Sequence, residues 1–160
     1  MSNATNLETQ RAAALALYNL SCASANHIPM VKGDIVSALA ILGHVADLDC
    51  KRYSIMTLAN LASNSETRSA ATRSGGLQTA VAMVKDEDID CRRYACIAMC
   101  NMANAPTTQE QLVVHGALPM ILQMVENSDD TESQRQALLA LSNISAVSYT
   151  HLTLPTSDLV

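Results

Sequence analysis

Apolar residues recur along this chain at helical spacing, and one block of them appears four times, at 6–21, 47–62, 88–103 and 130–145. Aligned on Asn19, Asn60, Asn101 and Asn143, the copies stand 41, 41 and 42 residues apart. Two residues before each asparagine sits Leu17, Leu58, Met99 or Leu141, and one after it Leu20, Leu61, Met102 or Ile144. On a wheel of about 100° per residue, positions two, five and six before the asparagine and one after it fall on one side. All are apolar or small, and that side is predicted to face a core. Positions four and eight before the asparagine share its own side: Leu15, Met56, Ile97 and Leu139, then Arg11, Arg52, Arg93 and Arg135.

Each copy opens, thirteen residues before its asparagine, on Asn6, Asp47, Asp88 or Asp130. Such side chains accept a hydrogen bond from the free N–H groups of a first helical turn. Glu8, Asp49, Asp90 and Glu132 follow two residues later, where the positive end of the helix dipole favours acids. Helices are therefore expected to start at these four positions. Between the copies Gly33, Gly75 and Gly116 recur, each followed by an apolar stripe: Ile35, Leu39, Leu42; Leu77, Val81, Val84; Leu118, Leu122, Val125. The residues before each glycine, 26–31, 66–73 and 108–114, read as shorter helices, with the glycine permitting a sharp bend into the next. Pro119 falls in a first turn and is tolerated. Pro29 is expected to shorten or distort its helix.

Self-similarity at this period marks stacked repeats, and composition agrees. The chain is 49% hydrophobic yet has no Phe and no Trp, so its core must come from small aliphatic and Met side chains on closely packed helices. The net charge of −5 argues against a nucleic-acid binder, and no apolar run is long enough to cross a bilayer. Residues 12–25 resemble a signal-peptide core, but the pattern recurs three times, so an intracellular, cytoplasmic protein is expected, with nuclear or membrane-peripheral placement left open. Cys22, Cys50, Cys91, Cys96 and Cys100 form no CxxC pair, and Cys96 takes a core slot of the register, where cysteine acts as a small hydrophobe; neither metal nor disulfides are expected. His27, His44, His115 and His151 share no register, and phosphate-loop, zinc-protease and nucleophile-elbow motifs are absent. The expectation is a protein that is not an enzyme and carries no cofactor.

The unit of short helix, glycine bend, middle helix, acidic loop and long third helix resembles the armadillo repeat family. The likeness rests on runs such as His115-Gly-Ala-Leu-Pro-Met-Ile-Leu and Ala137-Leu-Leu-Ala-Leu-Ser-Asn-Ile. It implies an all-α, right-handed solenoid spanning 1–146. An orphan third helix at 6–21 would precede three full repeats at about 24–63, 64–104 and 105–146. The tail does not fit. Residues 147–160 have no place in the register, and VSYTHLTLPT resembles the translation of a transposase-type sequencing adaptor. A non-native or disordered tail is expected there, with the native chain running on past Ala146.

In the resembled family the third helices line a concave groove, where asparagine amides hold the backbone of an extended peptide. The resemblance carries that role to Asn19, Asn60, Asn101 and Asn143, with Met56 and Ile97 on the same face and Tyr53 and Tyr94 seven residues before their asparagines. The asparagines have a second reading, as side chains that satisfy backbone groups near a helix end. Two readings of the arginines are open: a ladder binding carboxylates or phosphates of a partner, or stems packed on the neighbouring repeat with their heads paired to acids. Nuclear-import adaptors of the family carry tryptophan four residues before the asparagine. Leu15, Met56, Ile97 and Leu139 stand there instead, which disfavours a basic localisation peptide and favours an apolar, acidic or phosphorylated segment. The expected function is a scaffold that binds a protein or peptide, without nucleic acid and without membrane insertion. The alternative is a purely structural stretch of a longer solenoid. Uncovered repeat faces at both ends are expected to promote self-association.

Overall fold

The computed structural model describes the backbone of residues 3–127 and 129–151 and the side chains of 6–126 and 129–145. Ten α-helices follow one another among these residues: α1 (Asn3–Ser21), α2 (His27–Lys32), α3 (Ile35–Gly43), α4 (Leu48–Ser63), α5 (Ser65–Ala71), α6 (Leu77–Met83), α7 (Ile89–Ala103), α8 (Pro106–Val114), α9 (Ala117–Asn127) and α10 (Thr131–His151). The all-helical expectation holds. Helices α2–α3–α4, α5–α6–α7 and α8–α9–α10 form three like units, and α1, α4, α7 and α10 stack side by side in sequence.

The polar starts of three third helices work as predicted. Asp47 accepts from the Cys50 N–H at 3.0 Å, Asp88 from Cys91 at 2.9 Å and Asp130 from Ser133 at 2.9 Å. The first copy departs from the pattern: α1 begins at Asn3 and runs through Asn6. In the other copies a preceding middle helix delivers the chain at an angle, so the cap marks a change of direction; α1 has no such helix before it among the described residues. At the other end α10 continues to His151, into the stretch read as a tail, while 152–160 lie outside the described residues.

The bends correct the glycine register. Gly75 (φ +94°) and Gly116 (φ +73°) take the left-handed conformation, but Gly33 does not; Asp34, at φ +58°, does. Aspartate tolerates this region better than most residues, and its carboxylate accepts a hydrogen bond from the Ser37 hydroxyl at 2.7 Å. Asp34, Gly75 and Gly116 are 41 and 41 residues apart. The buried positions then line up five residues on, at Leu39, Ala80 and Ile121, and eight on, at Leu42, Met83 and Met124. Val81 and Leu122, assigned to the stripe from the glycines, are accordingly half-buried and exposed. The proline expectation holds for α2, which has six residues against nine in α8.

A second periodic device ties the units together. Asn26, Thr67 and Thr108 each donate a side-chain hydrogen bond to the carbonyl six residues back, on Leu20, Leu61 and Met102. His27, Arg68 and Gln109 do the same to Ser21, Ala62 and Ala103. Every third helix that is followed by a repeat thus has its last carbonyls, which lack partners within the helix, satisfied by the next short helix.

The core lies between the layers, and Leu58, Leu61, Met99, Met102, Ile55 and Cys96 are at most 1% exposed. Three residues of the predicted core side are exposed: Leu20 at 50%, Leu138 at 53% and Ala13. Their equivalents Leu61 and Ile55 are at 0%, because a neighbouring third helix lies on both sides of α4. Among the described residues α1 and α10 each have such a neighbour on one side only.

Candidate functional site

The residues expected to form the site fall into rows that cross the third helices. Along α4 the order is Asp49, Arg52, Tyr53, Met56, Asn60, and along α7 it is Asp90, Arg93, Tyr94, Ile97, Asn101. Met56, Ile97, Tyr53 and Tyr94 are half-buried, while Leu15 and Leu139 at the two ends of their row are 40% and 42% exposed.

The arginine row is engaged within the protein. The Arg11 guanidinium donates to Asp47 Oδ2 through Nε at 2.9 Å and Nη2 at 2.6 Å. Arg52 grips both carboxylate oxygens of Asp88 at 3.0 and 2.6 Å, and Arg93 both oxygens of Asp130 at 3.2 and 2.8 Å. Each arginine therefore reaches forward to the cap of the next third helix, in the two-pronged geometry that suits guanidinium and carboxylate. Each cap carboxylate in turn holds both its own helix start and the preceding helix. Among the described residues Arg135 pairs with Glu132 of its own helix at 2.7 Å. The reading of these residues as an anion-binding ladder for a partner loses its chemistry here, since the donor forks of Arg11, Arg52 and Arg93 are already used.

Electrostatics follow from this geometry. The Arg11 hydrogen bond, outweighing burial, holds the Asp47 carboxyl at about 2 against an ordinary 3.8, and Arg52 holds Asp88 at about 2. Arg93, aided by Ser133, pushes Asp130 well below the usual carboxylate range. The second acids add further negative charge: Asp90 lies 3.4 Å from both Arg52 and Arg93, and Asp49 4.0 Å from Arg11. At these helix starts six basic side chains, Arg11, Lys51, Arg52, Arg92, Arg93 and Arg135, stand among seven carboxylates, Glu8, Asp47, Asp49, Asp88, Asp90, Asp130 and Glu132. These helix starts therefore carry no cationic excess.

The asparagine row looks the other way. Asn60 Nδ2 donates to Ser21 Oγ at 2.9 Å, Asn101 Nδ2 to the Ala59 carbonyl at 3.1 Å and Asn143 Nδ2 to Asn104 Oδ1 at 2.8 Å. Each amide thus anchors the end of the preceding third helix. Among the described residues the Oδ1 atoms of Asn60, Asn101 and Asn143 accept no hydrogen bond. Asn19, on α1, is exposed. The side chains do structural work through one atom and present the other.

Sequence reading missed Tyr18. Its ring stacks on Tyr53, centroids 5.7 Å apart and planes 27° from parallel. Burial raises its phenol pKa, with Cys22, Tyr94 and Tyr53 adding to the effect, so phenols from three successive third helices lie near one another. Tyr18 stands one residue before its asparagine, a position that points forward along the stack, and the Tyr53 and Tyr94 register gave no hint of it. Cys50, Cys91, Cys96 and Cys100 are buried while Cys22 is exposed, and burial drives Cys91 and Cys96 up to about 12 and Cys50 to about 11.

Comparison with known proteins gives one family match and several similar solved structures. An Armadillo/beta-catenin-like repeat matches residues 108–146. An engineered protein solved by a structural genomics consortium is 27% identical over 90% of this chain and 59% of its own, with a TM-score of 0.82. A designed armadillo repeat protein in complex with the peptide (KR)4 is 23% identical over 84% of this chain and 57% of its own, TM-score 0.76. Computationally designed armadillo repeat proteins for modular peptide recognition give 22% identity over 85% and 58%, TM-score 0.78. The chain spans less than two thirds of the length of each of these structures. A comparison with curated protein sequences finds no significant match. No described helix is long and apolar enough to cross a membrane.

Proposed function

The chain is an armadillo-repeat solenoid, and on that premise we propose that the asparagine side of its third helices captures an extended peptide of a partner protein. The observation that carries the reading is the row of open Oδ1 acceptors on Asn60, Asn101 and Asn143, each fixed in place by its own Nδ2 bond to the helix before. A fixed acceptor suits a backbone N–H without regard to side-chain identity, and preorganisation lowers the entropic cost of binding. Met56 and Ile97 offer apolar contact between the rungs, with Tyr53 and Tyr94 beside them. An extended chain advances about 6.6–6.8 Å per two residues and stacked helices lie about 8–10 Å apart; a curved inner face brings the two repeats into step.

The acidic or phosphorylated partner expected from sequence is replaced by one with apolar and cationic side chains. The arginines are committed to Asp47, Asp88 and Asp130, and Asp49 and Asp90 add carboxylates beside them, so this edge offers an acidic partner no open guanidinium fork. The (KR)4 peptide held by one designed armadillo protein supports the same preference. A structural stretch with no ligand of its own is the second reading, favoured by the Nδ2 bonds. The two readings separate in one experiment. Replacing Asn60 and Asn101 together by Ala is expected to weaken binding of a fluorescein-labelled peptide of alternating serine and lysine about tenfold or more, at roughly 1 kcal/mol per lost hydrogen bond and more for several. Circular dichroism should remain helical. Binding equal to the wild type would leave the structural reading standing.

A further inference from the structure

The two inner third helices present matching residues to the groove: Tyr53, Met56 and Asn60 on α4, and Tyr94, Ile97 and Asn101 on α7. Each tyrosine stands seven residues before its asparagine, two turns and about 10.5 Å along the helix. A peptide crossing the stack therefore runs between two rows, acceptors on one side and phenol rings on the other, over an apolar floor. In α1 and α10 the tyrosine position holds Ala12 and Gln136. Tyr18 of α1 supplies a ring instead, stacked on that of Tyr53 with centroids 5.7 Å apart. All three rings are half-buried. Among the described residues the Tyr53 and Tyr94 hydroxyls form no hydrogen bond.

Three features select the conformation of what lies there. Asn60 and Asn101 spend Nδ2 on the helix before them, so each offers one acceptor and no donor. A β-extended backbone would bring an N–H and a C=O together to each amide, and only the N–H finds a partner. A polyproline II turn takes three residues and rises about 9.3 Å, inside the separation of about 8–10 Å between packed helices. Each turn then meets one third helix, without the shortening that a two-residue β step requires of the curved face. Three residues per turn also give three faces: an N–H toward Oδ1, a side chain toward the rings and a third position toward solvent. Proline fits the ring face. It takes away no N–H that the asparagines use, it presets φ near about −65°, and so it lowers the ordering cost of binding. Polyproline II carbonyls have no internal partner, and a phenol can donate to one. Grooves lined with aromatic side chains are a recurring seat for such segments.

We propose that the groove takes a polyproline II segment of a partner protein with proline at every third residue. One turn crosses each of α4 and α7. The prolines lie on the Tyr18–Tyr53 pair and on Tyr94, and the intervening N–H groups meet Asn60 and Asn101. The assignment rests on the groove proposed above and names the class of its ligand. It makes Tyr53 and Tyr94 the seat of a proline preference and the asparagines the seat of affinity for backbone.

The test is fluorescence polarisation of the full chain with two labelled peptides, repeating Ser-Lys-Pro and repeating Ser-Lys-Ala, equal in length and charge. The wild type is expected to bind the proline peptide about tenfold more tightly. Tyr53→Leu with Tyr94→Leu keeps apolar bulk at the half-buried positions and should bring the two peptides within about twofold of each other. Tyr53→Phe with Tyr94→Phe keeps the rings and removes the donors, and should retain part of the preference. Asn60→Ala with Asn101→Ala should weaken both peptides alike. Circular dichroism checks that each variant remains helical, and the comparison of peptides on the wild type needs no variant. If the wild type binds both peptides equally while the asparagine variant weakens both, the polyproline II assignment is wrong and the groove stands. A proline preference that survives Tyr53→Leu with Tyr94→Leu also overturns the assignment, since the rings would not be its seat. If the wild type binds neither peptide, both are overturned.

Discussion

At the scale of single residues, the repeat register assigns positions to jobs, and neighbours decide whether the job is done. Ile55 and Leu138 occupy the same register position, five before the asparagine, yet one is sealed between helices and the other exposed. Hydrophobic burial stabilises only where water is removed. Ile55→Ala should therefore cost about 2–5 kcal/mol, the usual range for emptying a packed site, while Leu138→Ala should stay within about 0.5 kcal/mol, as surface changes do. Denaturant unfolding of the two variants checks this. Equal costs would mean that Leu138 is covered in solution, and association through the faces of α1 and α10 is the first explanation to test. The arginines teach a related lesson. That they recur was plain in the sequence; that each meets the aspartate 36 or 37 residues on was not used, although the two opposite charges recur in step. A periodic arginine matched by a periodic acid at a constant offset was the signal.

At the scale of elements, the helix starts were legible because capping is local: Asp47, Asp88 and Asp130 needed no knowledge of the fold. The bend was less legible. Glycine signals a left-handed residue, but Asp34 fills that role in the first repeat beside a glycine that does not, so the first middle helix was read one residue out of register. The caps also set the acid stability of the solenoid. Asp47 and Asp88 have folded pKa values of about 2 against an ordinary 3.8. A carboxylate depressed on folding contributes stability above its unfolded pKa and loses it as pH falls through the folded value. Unfolding free energy is thus expected to fall as pH drops from about 4 toward 2, read by denaturant titration with far-UV circular dichroism. Asp47→Asn with Asp88→Asn should lower stability at neutral pH and flatten that acid limb. An unchanged slope would mean the caps and their arginine partners carry little of the acid response.

At the scale of the whole molecule, two rows of side chains run in opposite directions through the stack. Arginines bind each third helix to the start of the next, and asparagine amides bind each to the end of the one before. The fold was legible from sequence because a 41-residue period imposes it. The site was legible only in part, since whether a polar row faces a ligand or a neighbour depends on distances between helices that the sequence does not state. The binding face proposed above keeps the Oδ1 row and the Tyr, Met and Ile positions and omits Arg11, Arg52 and Arg93, which pair with aspartates of the next third helix. The most direct test is an NMR titration of the full chain with the serine–lysine peptide, following the side-chain amide resonances of every asparagine. The account predicts that Asn60 and Asn101 shift in saturable fashion, while Asn26, which holds the Leu20 carbonyl at the end of α1, and Asn64, which caps the start of α5, stay in place. Shifts confined to other faces, with Asn60 and Asn101 unmoved, would contradict it.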